Sequence, residues 1–501
     1  MTALLWGSVT MHAQHQSARM VAIPKTWDEK ALKDWATPLA GLNVRPSHIS
    51  SEQYYALPAD NLKTWPVYLR GREPEGYWQM LQSVGPQPMI EPQKLNSEAD
   101  WIEAGRTVFQ QMDHLHLRTL DPEFIEMVRR GDFLVPLPDG TAANVRWAPT
   151  KEGVALAFPN CAACHQLITP KGDVFDGAPT FAVESQRTGP PGPAIVVRAH
   201  QAQRYVAGGS PVRMGPGPLG SWFYSAFGVP WLKEDVHAKL KDISQAELAG
   251  LIAAGLRGGA VPRWNGSVYF PTKVPDLIGI KDRKYIDHTA THLNRGIGDV
   301  MRYAALVSTA ESTTFGPHQM LFAGSELPRV RRSDETLYAL SMYIESLKPP
   351  ANPNAVNEHS NAGEKIFRRE GCRGCHVPPL YTNNKLTLAQ GFELPKGRPS
   401  TLDVLPLSVG TDPGLALRTR KGTGYYKVPS LKGVWYRGHY LHDGSVASLE
   451  EMFNPERLKD THTPGGYNPP GVKNRAIPGH EFGLKLNAEE RKQLIAFLRT
   501  L

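Results

Sequence analysis

The sequence has no run of 18 apolar residues, the length a membrane-crossing helix needs. It has no block of Lys and Arg and no basic helix. The net charge of +8 is spread along the chain, which argues against nucleic acid as the partner. Cysteine is scarce, with four residues in 501. The N-terminus lacks the basic start of an export signal, although Ala3-Leu4-Leu5-Trp6-Gly7-Ser8-Val9 is a short apolar run and Met11-His12-Ala13 reads as a cleavage region. What is plentiful is Gly (46) and Pro (43), so long ordered loops between rather few helices are expected. At this length two or three domains with proper cores are expected.

All four cysteines fall in two pentapeptides, Cys161-Ala162-Ala163-Cys164-His165 and Cys372-Arg373-Gly374-Cys375-His376. Each is C-x-x-C-H, the attachment signature of c-type haem. One helical turn sets both thiols along one porphyrin edge, and the His that follows binds the iron. Zinc binding or dithiol chemistry would not need His directly after the second Cys. With 17 His in the chain, two chance placements have a probability of about 0.001 for this motif. Two covalently bound haem c groups are therefore expected, with His165 and His376 as proximal ligands. Their propionates offset part of the positive charge. Haem is attached to this motif outside the cytoplasm, so a periplasmic or secreted protein is expected.

The chain repeats itself. Ala104-Gly105-Arg106-Thr107-Val108-Phe109 resembles Ala362-Gly363-Glu364-Lys365-Ile366-Phe367. Val274-Pro275-x-Leu277-x-Gly279-Ile280 matches Val428-Pro429-x-Leu431-x-Gly433-Val434 at an offset of 154 (428 against 274). The same offset carries Arg283 onto Arg437 and His288 onto His442. It also carries Leu340, Tyr343, Ile344 and Leu347 onto Leu494, Phe497, Leu498 and Leu501, a helical face. Ser333 and Asn487 stand where these helices begin, and Glu490 completes a capping box with Asn487. A helix around Pro122–Arg130 and a hairpin around Leu137–Trp147, turning at Asp139-Gly140, fill an insertion in the first copy. A second insertion holds the Gly/Pro-rich 189–220 and Trp222-Phe223-Tyr224. The expected fold is mainly α: two tandem cytochrome c-like domains with long loops and insertions. Residues 1–20 read as an export segment, 21–97 as an extension packed on the domains, 98–350 as the first domain and 351–501 as the second, opening on a polar linker at 351–361.

The two haem motifs, Val428-Pro429-Ser430-Leu431-Lys432-Gly433-Val434 and Tyr440-Leu441-His442-Asp443-Gly444-Ser445 together resemble the bacterial di-haem cytochrome c peroxidase superfamily. That group includes the methylamine dehydrogenase maturation enzyme and, more distantly, the haem-c rubber oxygenases. The resemblance covers about residues 98–501. Pro478-Gly479-His480-Glu481-Phe482-Gly483 looks most like the oxygenase branch. The resemblance implies a C-terminal haem with two axial ligands that relays electrons, and an N-terminal haem that meets hydrogen peroxide or O2. A saturated iron exchanges no ligand, whereas a vacant face binds one.

For the second haem the resemblance points to His480 as distal ligand, with Met452 as the other candidate. The 154 offset sets Glu326 where His480 stands, and Glu311 is the second candidate acid. A carboxylate over an open iron suits O–O cleavage, because it takes the proton from one oxygen and returns it to the other. Tyr303, His318 and Gln319 are further candidates for that pocket. His200, His237 and His292 are candidate ligands should the first iron be closed. His288 replaces the family's Trp between the haems, as a bridge or as a structural His. The resemblance also raises a calcium site near Pro275 and Pro429, without a legible ligand cluster. The implied reductant is a small periplasmic electron-donor protein or an organic substrate. The rival readings are an oxygenase splitting a hydrophobic substrate and a pure electron carrier.

Overall fold

The computed structural model describes residues 22–40, 46–113, 118, 120–131, 134–157, 160–169, 171–179, 224, 227–244, 247–248, 250–251, 254–255, 259–261, 268–309, 313–315, 318–319 and 330–501. Among the described residues helix accounts for 33% and strand for 13%. Helix leads, but the chain is mixed rather than plainly helical, because the insertion and the loops between helices pair into small sheets.

Two helix pairs carry the fold. Helix α1 (Glu98–Gln111) opens on Ser97, whose side chain accepts from the Asp100 amide while Asp100 answers the Ser97 amide. Its buried residues Trp101, Ala104, Val108 and Phe109 recur at helical spacing. They pack with α2 (Ile297–Thr309) and α3 (Asp334–Ser346) in one core. In the second pair, α4 (Glu358–Arg369) crosses α5 (Ala488–Arg499). Asn487 and Glu490 form the capping box of α5 expected from the sequence.

Each pair crosses at a glycine. A Cβ on Gly105 would lie 1.9 Å from the Ala339 carbonyl oxygen, and one on Gly363 would lie 1.9 Å from that of Gln493. No side chain fits at such a distance, so both glycines are there to let backbones meet. Ala339 and Gln493 are themselves 154 apart, so the sequence repeat is also a repeat of packing. The linker is shorter than expected. Asn357 caps α4 through the Ser360 amide, so the helix starts within 351–361.

The first insertion folds largely as expected. A helix runs Pro122–Arg129. Strands β1 (Trp65–Tyr68), β2 (Val135–Pro136), β3 (Thr141–Pro149) and β4 (Val154–Ala157) form one sheet, with β3 paired to the other three. The β2–β3 turn sits at Asp139-Gly140, where Gly140 has φ +83°. The N-terminal extension is packed onto the first repeat. The Trp35 indole donates to the Leu293 carbonyl at 3.0 Å. Arg332, fully buried, donates to the Asp60 carbonyl at 2.9 Å and pairs with Asp113 at 3.1 Å.

The two repeats meet across a pseudo-twofold. The Lys273 amide donates to the His442 carbonyl at 2.8 Å, and the Lys427 amide donates to the His288 carbonyl at 3.0 Å. Both lysines and both histidines are related by the offset of 154, so one contact is made twice, in opposite directions. The Arg283 guanidinium donates to the carbonyls of Asp276 and Ile278. Arg437 does the same at the matching carbonyls, Ser430 and Lys432.

Candidate cofactor site

The second C-x-x-C-H segment follows α4 directly. Gly371, at φ +78°, ends the helix and turns the chain into a short 3-10 turn over Cys372–Gly374. The turn faces a cavity lined by Cys372, Cys375, His376, Met452, Phe453 and His480. The free thiols stand where thioether sulfurs would be in the cofactor-loaded chain. Burial pushes Cys372 up to about 11, so it is a poor thiolate nucleophile or metal ligand in this form.

His376 and His480 face each other across this cavity, with ring centres 6.3 Å apart. A metal–imidazole bond of about 2.0 Å on each side, with about 1.1 Å from each nitrogen to its ring centre, adds to about 6.2 Å. Two imidazoles that held one metal between them would stand about this far apart. The His376 Nδ1 bonds the Tyr381 carbonyl at 3.1 Å, which orients the ring and leaves Nε2 for the cavity. Enclosure pushes His480 down to about 4, helped by His376 and Arg457, and lowers His376 as well. Both are therefore neutral, the form that binds metal. Met452 lines the same cavity but is buried against Leu449 and Phe453 in the core.

His480 is held from two sides. Its backbone has φ +49°, and its amide donates to the Val409 carbonyl at 2.6 Å. Arg457, fully buried, donates to the carbonyls of Met452 (3.0 Å), Ile477 (2.6 Å), Gly479 (2.8 Å) and His480 (2.9 Å). Sequence reasoning missed this clamp, since nothing local marks Arg457.

The first C-x-x-C-H segment forms a single helical turn, Ala162–His165. The Asn160 side chain accepts from the Ala163 amide at 2.8 Å. Burial pushes Cys161 up to about 12. The His165 carbonyl accepts from the Gly177 amide, and Gly177 in turn accepts from the Leu277 amide in the Val-Pro segment. Glu326, Glu311 and His200 lie outside the described residues. His318 and Gln319 form a short strand of which only the backbone is described.

The remaining candidates have partners of their own. His237 is buried, with Nε2 at 3.0 Å from the Arg418 carbonyl. His292 Nε2 lies 3.4 Å from His48 Nε2, and its Nδ1 meets Thr291 Oγ1 at 3.2 Å. Tyr303 donates to Asp287 at 3.2 Å. His288 Nε2 meets the Lys273 carbonyl at 3.1 Å, at the seam between the repeats and beside the second cavity. Its ring is thus bonded to backbone.

A family described as RoxA-like, cytochrome c-like, matches residues 424–463. The methylamine utilization protein MauG of Methylorubrum extorquens is 28% identical over 152 residues, covering 30% of this chain and 36% of that protein. The cytochrome-c peroxidase IdrP1 of Denitromonas iodatirespirans is 27% identical over 168 residues, covering 29% of this chain and 41% of that one. Among solved structures, the diheme peroxidase BthA of Burkholderia thailandensis is 18% identical, with a TM-score of 0.24, covering 64% of this chain and 88% of that chain. These matches make the chain similar to di-haem cytochrome c peroxidases and MauG, with a RoxA-like segment. It spans about two fifths of the length of the curated relatives it matches.

The group that fits the His376–His480 gap beside a C-x-x-C-H segment is haem c. His376 and His480 would hold such a group, and Cys372 and Cys375, which line the same cavity, would attach it. Calcium is a different matter. The cavity that Pro275 and Pro429 help line carries Lys273, Arg283, Lys427 and Arg437, with Asp276 as the carboxylate among its lining residues. Asp276 already accepts from Tyr436 at 3.0 Å and faces Arg437 at 3.5 Å. A hard dication needs several oxygen ligands, and this cationic wall does not fit one. Among the described residues no helix is long and apolar enough to cross a membrane.

Proposed function

We propose that the chain is an exported oxidoreductase built as two tandem cytochrome c-like domains, each holding one haem c. The reading is peroxidase-like: hydrogen peroxide is reduced at the first haem, and electrons pass through the second. The single observation that carries it is the 6.3 Å opposition of His376 and His480. Bound there, haem would supply a redox iron with both axial positions taken, suited to electron transfer and unsuited to substrate. Chemistry then belongs to the His165 site. Glu326 and Glu311 are the acids proposed to move the proton between the peroxide oxygens. The repeats meet at Lys273–His442 and Lys427–His288, which supports direct exchange between the two sites without a flexible linker. The proposed electron source is a small periplasmic donor protein.

A second reading rests on the RoxA-like match at 424–463. It is an oxygenase that cleaves a hydrophobic substrate with O2 at the first haem.

The test is electron paramagnetic resonance of the purified ferric protein, together with peroxide consumption. One high-spin and one low-spin bis-His signal, with peroxide turnover, supports the first reading. Two low-spin signals and no turnover would mean an electron carrier. Turnover of an alkene under O2, with oxygenated cleavage products, would select the oxygenase.

A further inference from the structure

The cavity between His376 and His480 is unbalanced in charge. Its wall carries Lys273, Arg283, Lys427 and Arg437, and one carboxylate, Asp276. Three of the four cations have work elsewhere. Arg283 and Arg437 hold the carbonyls of the two Val-Pro segments. The Lys427 ammonium donates to the Ile286 carbonyl at 2.8 Å.

Lys273 differs. Among the described residues no hydrogen bond ends on its ammonium, which lies 6.0 Å from the centre of the Tyr440 ring and feels the charges of Arg437 and Asp276. Its backbone is tied on both sides of the seam: its amide donates to His442, and its carbonyl meets His288. The side chain is enclosed by protein yet opens onto the cavity. Burial, with the Arg437 guanidinium beside it, pushes Lys273 down to about 7, as expected for a cation short of counter-charge. Arg437 itself leaves Nε without a hydrogen bond, 3.5 Å from Asp276. An enclosed wall with four cations and one anion is costly unless an anion enters. Cys372 and Cys375 line the same cavity as Lys273 and Arg437.

We propose that Lys273, reaching over from the first repeat, and Arg437 of the second together seat the acid side chains of the tetrapyrrole held by His376 and His480. This rests on the haem reading above. A residue of the first repeat then sets the charge balance of the second repeat's iron. Lys273 is a positioning residue: it touches the rim of the cofactor and not the iron.

The experiment uses the full chain, matured with haem, as wild type, K273M and K273R. Haem per chain is counted by pyridine haemochrome, and the low-spin haem is titrated by spectroelectrochemistry. Loss of the nearby positive charge favours the ferric form. At a fixed poise the reduced-to-oxidised ratio of the low-spin haem in K273M falls about tenfold, about 59 mV for one electron. K273R returns it to near wild type. Two haems per chain with an unmoved potential in K273M overturns the proposal. Should K273M fail to accumulate, K273Q carries the same test with the same two outcomes. A wild-type chain that binds no haem overturns the parent reading, and this one with it.

Discussion

The Arg457 guanidinium donates to the carbonyl of His480 at 2.9 Å, so a buried cation grips the backbone of the residue opposite His376. The same side chain holds Gly479, Ile477 and Met452. Four carbonyls from two segments converge on one planar head, the kind of fixed multi-donor geometry that Arg offers and Lys does not. His480 stands at φ +49° within this grip. A residue with a Cβ keeps such a conformation only when its surroundings impose it.

Replacing Arg457 therefore releases the ligand loop. Arg457→Met leaves four buried acceptors without donors, each costing about 1–3 kcal/mol. The expected loss of stability is about 3 kcal/mol or more, read from the urea unfolding midpoint. Arg457→Lys keeps the charge but not the geometry, and a high-spin fraction appears in its ferric spectrum. An unchanged spectrum for the Lys variant would show that the clamp does not position His480.

His480→Ala removes the ligand and leaves the attachment sulfurs. Haem content stays at the wild-type value, while the low-spin bis-His signal is lost. Added imidazole restores it by filling the vacated space. Persistence of the low-spin signal with a sulfur-ligand signature would hand the position to Met452.

Gly105→Ala and Gly363→Ala each force a Cβ to within 1.9 Å of a carbonyl oxygen on the facing helix. The helices must part, at a cost near the upper end of about 1–3 kcal/mol for overpacking. Thermal melts report a lower midpoint for both variants, and each reports on its own helix pair.

Acid stability follows from Asp113. Burial alone would raise this carboxyl, but Arg118 at 2.9 Å and Arg332 at 3.1 Å outweigh it and hold it well below the usual range. A depressed folded-state value means stability that is present above the unfolded value, about 3.9, and lost as pH falls below it. Asp287 behaves alike, since Lys421 at 3.0 Å and Thr291 overcome its burial. Urea midpoints of the wild type decline below about pH 4. Asp113→Asn is less stable at neutral pH, and its midpoints decline less steeply with acid. Parallel curves would remove Asp113 from the account.

The candidate site was legible where chemistry imposes a local spacing. Two Cys, one helical turn apart, followed by His, can be found in any sequence, and so can a capping box such as Asn487 with Glu490. His480 was reachable because the chain around it keeps a recognisable Gly-His-Glu-Phe-Gly pattern. Arg457 and Lys273 were not. They act through carbonyls and a cavity wall, and neither leaves a period or a motif. The linker was drawn too long because Asn357 and Ser360 cap through side chains whose partners sequence alone does not show. The strand content was under-read because strands of two to four residues carry no periodicity of their own.

By itself the sequence determined the two candidate attachment motifs, the internal repeat and the helix faces, since these depend on residues a few positions apart and on simple geometric periods. Only the tertiary structure decided which ring stands across from His376, which arginine holds it there, and that the two repeats answer each other through Lys273 and Lys427. Those relations join residues from about 20 to more than 150 positions apart, and nothing short of the packed chain brings them within hydrogen-bond reach.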